Sequence, residues 1–173
     1  AISGKKMSFL DCVFAMNEIA GRNGFGRLDI IEDRVVGIKS RECYEVPGSL
    51  ALIRAHQALE DLCLEARLLR EKLSIEQKWS NLVYDGLWFT PLKDACDVFI
   101  DETQKFVSGI VKLRFYKGTC ECFGRKSPYA LYDYELATYS EGDKFDQGLS
   151  KGFIDLHSLS AVTYSNKHKG FYK

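Results

Sequence analysis

Net charge is the first thing this sequence lacks: 24 lysines and arginines are balanced by 24 aspartates and glutamates. No field of one sign draws the chain to nucleic acid or to an anionic membrane, and a small polar metabolite or a protein is the expected partner. Long apolar runs are also missing. Nothing approaches the length of a membrane span, and the opening Ala1-Ile2-Ser3-Gly4-Lys5-Lys6 has no apolar signal-peptide core, so a soluble protein is expected. Cysteine is too sparse for a secreted disulfide scaffold: Cys12, Cys43, Cys63, Cys96, Cys120 and Cys122 are scattered along the chain, which fits reduced thiols in a cytoplasm. Cys120 and Cys122 share one face of a strand, yet no second Cys or His pair stands nearby to complete a zinc site, and no metal is expected. His56, His157 and His168 lie far apart and in no motif with a nucleophile. Repeats, low-complexity stretches and Pro/Gly/Ser-rich linkers are absent. With 173 residues, 46% of them apolar, one domain is the default.

What is present reads as helices and two strand pairs. Ser8 can cap a helix over 8–20 whose apolar positions Phe9, Val13, Met16 and Ile19 recur at helical spacing, with Gly21 as its C-cap. Arg27-Leu28-Asp29-Ile30 and Val35-Val36-Gly37-Ile38 read as two short strands around a turn at Glu32-Asp33-Arg34. Pro47 and Ser49 suit the entrance of one long helix, with leucines repeating from Leu52 to Leu73. Its other side carries Glu60, Asp61, Glu65, Arg67, Arg70 and Glu71, a mixed set expected to face solvent. A second helix is expected from Ser74, and a third from Thr90-Pro91 to about Phe106. Ile110 to Tyr116 and Thr119 to Phe123 are β-prone around a Lys117-Gly118 turn, and Gly152 opens a last helical or irregular segment before a polar tail from Ser165 to Lys169. The order gives an α+β fold: antiparallel strand pairs packed with several helices, a single domain over 1–159, and an extended C-terminal tail over 160–173. Ala1-Ile2-Ser3 reads as a strand end entering a turn, as if cut from a larger protein.

Two places could carry chemistry. Gly21-x-x-Gly24-x-Gly26 is Gly-rich, but a helix leads in and a strand follows, the reverse of a phosphate cradle, so a helix end and a turn are expected there. The densest polar segment runs from Glu32-Asp33-Arg34 through Lys39-Ser40-Arg41 to Tyr44-Glu45. Carboxylates, Tyr and Arg together supply the acceptors and donors that a zwitterionic amino acid needs. A solvated hairpin with surface ion pairs would carry the same residues, and composition alone favours it.

At this segment the sequence resembles the argininosuccinate synthase family, in the run from Gly26 through Glu32-Asp33-Arg34, Lys39-Ser40-Arg41 and Tyr44-Glu45 to Pro47. The resemblance extends upstream to Asn17-Glu18-Ile19-Ala20-Gly21 and downstream through Arg54-Ala55-His56, Leu82-Val83-Tyr84-x-Gly86-x-Trp88, Gly124-Arg125-x-Ser127-Pro128 and Gly152-Phe153-Ile154. It implies an ATP-dependent ligase of arginine biosynthesis and the urea cycle. That enzyme activates citrulline as an adenylate, releasing pyrophosphate, and aspartate then displaces AMP. It further implies that ATP, with Mg, is bound by a separate N-terminal domain through a Ser-Gly-Gly-x-x-Asp loop that this sequence does not contain, so the fragment holds no cofactor and is inactive alone. By the same resemblance, Glu32 and Tyr44 stand at the positions that contact citrulline. Lys39 and Arg41 lie in the same run, as ligand contacts or as structural ion pairs. The expected assembly is a cytoplasmic homotetramer with the segment after Leu159 as an oligomer arm. A non-catalytic oligomerisation module is the alternative.

Overall fold

A computed structural model describes residues 1–137 and 144–169. The chain divides into two compact units, Ala1–Leu131 and Tyr132–Lys173. Among the described residues are helices α1 (Phe9–Arg22), α2 (Pro47–Cys63), α3 (Ala66–Tyr84), α4 (Pro91–Thr103), α5 (Tyr134–Ala137) and α6 (Gly148–Lys167). Two antiparallel pairs accompany them: β1 (Arg27–Asp33) with β2 (Lys39–Glu45), and β3 (Ile110–Tyr116) with β4 (Thr119–Lys126). The α+β mixture expected from the sequence is the one found. No described helix is long and apolar enough to cross a membrane.

In the first unit, Ser8 caps α1 by accepting the Asp11 N–H at 3.1 Å, and Asp11 places a carboxylate in the first turn, where the helix dipole favours it. The helix runs past the expected stop at Gly21. Its end is formed by Gly24 N–H donating to Gly21 O (2.8 Å) and Phe25 N–H donating to Ala20 O (3.2 Å), the paired bonds of a Schellman motif. Phe25 is thereby turned into the core with Met16, Ala20, Ala51 and Cys120. Its ring lies 5.7 Å from that of Phe115 and under the Arg54 guanidinium, which also donates to Cys120 O at 2.8 Å. The core thus sits where α1, α2 and the second hairpin meet.

The first hairpin differs from expectation in its turn. Val35-Val36-Gly37-Ile38 is not a strand: Arg34 and Ile38 close the loop, with Gly37 N–H donating to Arg34 O and Arg34 N–H to Ile38 O, both at 2.8 Å. Gly37 has φ +86°, a left-handed conformation that β-branched neighbours disfavour and glycine adopts freely. One such residue outweighs the strand propensity of the valines beside it, and Val36 is left 81% exposed. The strand after the turn is Lys39–Glu45.

The long helix from Pro47 is interrupted. Leu64 is extended (φ −92°, ψ 140°), and Glu65 starts α3 as its N-cap, its carboxylate accepting the N–H groups of Arg67 (2.9 Å) and Leu68 (3.1 Å). Ser74 lies inside α3 rather than at a helix start. No Gly or Pro marks the break, and the leucine repeat continues across it, so periodicity alone could not show it. The expected solvent face is also corrected at Glu60, whose side chain is 2% exposed, and Lys72 is buried with it while Leu73 stands half exposed. Lys72 Nζ lies 2.8 Å from Glu60 Oε1 and 2.9 Å from Glu76 Oε2, and Gln104 Nε2 donates to Glu60 Oε1 at 2.9 Å. His56 Nε2 is 3.3 Å from the same oxygen. Burial works to raise the Glu60 carboxyl, but the hydrogen bonds from His56, Lys72 and Gln104 outweigh it and bring the pKa down to about 2. A charge placed on an apparently polar face is buried because its partners are supplied by α2, α3 and the end of α4.

Pro91 opens α4, which packs on α3 through Trp79 Nε1 donating to Asp97 (2.7 Å). Lys117-Gly118 turns the second hairpin with both residues at positive φ, as the sequence suggested. In the second unit, α6 passes through Leu159 and Ser165–Lys167 and is capped by His168, whose N–H donates to Tyr164 O at 3.1 Å. Residues 170–173 of the expected tail lie outside the described residues.

Candidate functional site

The site is built on the first hairpin. Antiparallel register places Glu32 opposite Ser40 and Tyr44 opposite Leu28, so Glu32 and Tyr44 project from the same face with the Ile30–Glu42 pair between them. Both side chains are long enough to reach toward each other over that interval, and Tyr44 Oη donates to Glu32 Oε1. The other carboxylate oxygen, Oε2, accepts from Tyr84 Oη at 3.1 Å. Arg34 Nη1 stands 3.6 Å from Glu32 Oε2 and 3.6 Å from Glu42 Oε1, bridging the two acids across the hairpin. Glu32, Arg34, Tyr44 and Tyr84, with Val35 and Val36, line an open cleft of about 410 Å³.

Electrostatics in the cleft are set by Glu32. Hydrogen bonding from Tyr44 holds its carboxyl below the ordinary glutamate range against the opposing effect of burial, with Tyr84 and Arg34 adding to the depression. The same bond, with burial, pushes the Tyr44 phenol up to about 12. Burial and then Glu32 raise Tyr84 as well. At neutral pH the cleft therefore contains one carboxylate, two intact phenols and a guanidinium. Each carboxylate oxygen has a lone pair beyond the one its phenol uses, so Glu32 can still accept from an ammonium or ureido N–H, and Arg34 can donate to an anionic group.

Glu32 and Tyr44, singled out from the sequence, are brought into direct contact. Lys39 and Arg41 are placed on the opposite face of the hairpin. There Lys39 pairs with Asp33, and Arg41 forks onto Asp29 at 2.8 and 2.6 Å. Two further residues, Arg34 and Tyr84, were not assigned from the sequence. Arg34 was visible in the polar run, but its reach to Glu32 depends on the turn following it. Tyr84 is 52 positions from Glu32 and stood only within the Leu82–Trp88 resemblance.

The Gly-rich segment forms the expected helix end and turn. A Cβ on Gly26 would lie 2.3 Å from Pro47 Cα, so this glycine serves close backbone packing rather than an anion cradle, and the adjoining cleft presents Glu45 beside Arg27. Among the described residues, no group of three or more His, Cys, Asp and Glu is arranged to hold a metal ion, and all six cysteines are free thiols.

Comparison with known proteins identifies what this domain is like. The family model for the "Arginosuccinate synthase C-terminal domain" matches residues 1–164. The argininosuccinate synthase of Pelodictyon phaeoclathratiforme is 51% identical over 168 residues, covering 97% of this chain and 42% of that protein. The chain thus spans less than half the length of that curated relative.

Proposed function

Because the chain belongs to the argininosuccinate synthase family, as its C-terminal domain, we propose that its hairpin cleft binds citrulline for an ATP-dependent ligase that joins citrulline to aspartate in a cytoplasm. The observation that carries this reading is the Glu32 carboxylate, gripped on one oxygen by Tyr44 and on the other by Tyr84, within an open cleft that also holds Arg34. Glu32 accepts an N–H of the ligand, Tyr44 orients it, and Arg34 supplies the complementary charge. Holding the substrate in one geometry is this domain's contribution, since orientation converts a chance encounter into a reactive complex. ATP and its Mg ion are assigned to the remainder of the synthase, because the family's Ser-Gly-Gly-x-x-Asp loop does not occur in this sequence.

A role in assembly goes with this reading. Within the segment after Leu159, helix α6 presents Val162 and Tyr164 exposed, which supports an arm that packs against other subunits of a homotetramer.

The test is Glu32→Gln in a complete synthase carrying this domain. Loss of a charge-assisted hydrogen bond to the ligand should raise the citrulline KM roughly tenfold to hundredfold, with ATP and aspartate parameters moving less. An unchanged citrulline KM would remove the basis for this assignment.

A further inference from the structure

We infer that Tyr84 is a positioning residue for the cleft: from the end of α3 its phenol fixes the second oxygen of Glu32, so that the carboxylate presents one orientation to the substrate. This rests on the reading of Glu32 as a citrulline contact. The terminal torsion of a glutamate is broad and roughly two-fold, so a carboxylate held at one oxygen can still rotate about that anchor. Tyr44 holds only Oε1. Tyr84 holds Oε2 at 3.1 Å, and Arg34, at 3.6 Å from the same oxygen, is too distant for a direct hydrogen bond. With a phenol on each oxygen, the plane of the carboxylate is set, and the remaining lone pairs face the cleft.

The way α3 ends makes Tyr84 fit for this. Gly86 N–H donates to Val83 O (3.2 Å) and Leu87 N–H to Leu82 O (2.8 Å), a second Schellman motif, with Gly86 at φ +76°. Tyr84 is the last helical residue and lies inside that motif, so its backbone is held by the bonds that enclose it rather than frayed. Its side chain is not part of a core: the residue is 49% exposed, and the hydroxyl makes its hydrogen bond to Glu32. A residue serving only to pack would not need the hydroxyl. Tyr84 thereby ties the distant α3–α4 region to the hairpin through the carboxylate assigned to the ligand's N–H, and both phenol bonds favour the charged form of Glu32.

Tyr84→Phe removes that hydroxyl and keeps the ring. In the complete synthase it should raise the citrulline KM by about threefold to tenfold, less than the loss of a charge-assisted bond made directly to the ligand because Tyr84 acts through Glu32, and leave the melting temperature unchanged. The acid limb of kcat/KM for citrulline should move to higher pH, because Glu32 loses a donor that favours its ionised form. In a Glu32→Gln background the same substitution should add nothing, since a residue that acts through Glu32 has no route once the carboxylate is gone. The inference is overturned if Tyr84→Phe leaves both KM and the acid limb in place. It is equally overturned if its effect is undiminished in the Glu32→Gln background, or if the KM change comes with a matching loss of melting temperature. A Glu32→Gln variant with normal citrulline KM would overturn the citrulline reading and this inference together, whereas a defective Glu32→Gln with a silent Tyr84→Phe overturns this inference alone.

Discussion

Lys72→Met should be the most damaging conservative change to the fold, and its cost follows from the burial of its partner. The lysine and Glu60 side chains are 4% and 2% exposed, so methionine fills the space of the stem but leaves a carboxylate in the interior without its cation. Removing one partner of a buried ion pair costs about 3–5 kcal/mol. Gln104 still donates to Glu60 at 2.9 Å and His56 stays near, so the lower end, about 3 kcal/mol, is expected. Urea unfolding followed by the fluorescence of Trp79, which sits on the same helix, measures it. The pH dependence gives a second reading. Glu60 has a folded pKa of about 2 against an ordinary 4.5, so in the native chain its contribution is complete above pH 4.5 and is lost as the pH falls from there through 2. In Lys72→Met the carboxyl has lost a stabilising cation, so acid neutralises a charge that was harmful. The difference between the two proteins should therefore shrink on going from pH 7 to pH 3. A double change, Glu60→Leu with Lys72→Met, should recover most of the loss, because an apolar pair of similar volume needs no compensation. A loss below about 1 kcal/mol for Lys72→Met at pH 7 would refute the claim that this pair is held out of water.

Tyr44→Phe in the complete synthase should raise the citrulline KM or lower kcat while the melting temperature, read by scanning calorimetry, stays put, because the ring and its packing are retained. Gly26→Ala should cost upwards of about 2 kcal/mol in urea unfolding, since the new Cβ would meet Pro47 Cα at 2.3 Å and the residue has φ +93°; a native-like midpoint would show that the helix entrance can yield. The isolated chain should release no pyrophosphate from ATP with citrulline and aspartate, and release well above a protein-free control would contradict placing ATP elsewhere.

Much of this protein was legible in the sequence because the deciding signals are local. Ser8 before an apolar helical repeat, Pro47 and Pro91 at helix starts, and Lys117-Gly118 between two β-prone runs each act within a few residues, and each fixes an element that the structure contains. The run around Glu32 and Tyr44 likewise pointed to the family that the comparisons show. Where the reading failed, a single local glycine decided the hairpin turn and distant groups decided the rest. Expecting the turn at Glu32-Asp33-Arg34 would have put Glu32 on the loop itself, whereas the turn closed by Gly37 leaves it on the strand, facing the same way as Tyr44. The break between α2 and α3 carries no Gly or Pro, and Glu60 looks like a surface residue until Lys72, Gln104 and His56 are folded around it. Tyr84 reaches Glu32 only when α3 ends where the Schellman bonds end it and its tip lies beside the hairpin. Caps, turns and periodicity are properties of neighbouring residues and can be read along the chain. Burial of a charge and the meeting of a carboxylate with two phenols depend on distances in space, which are set only when all the elements pack.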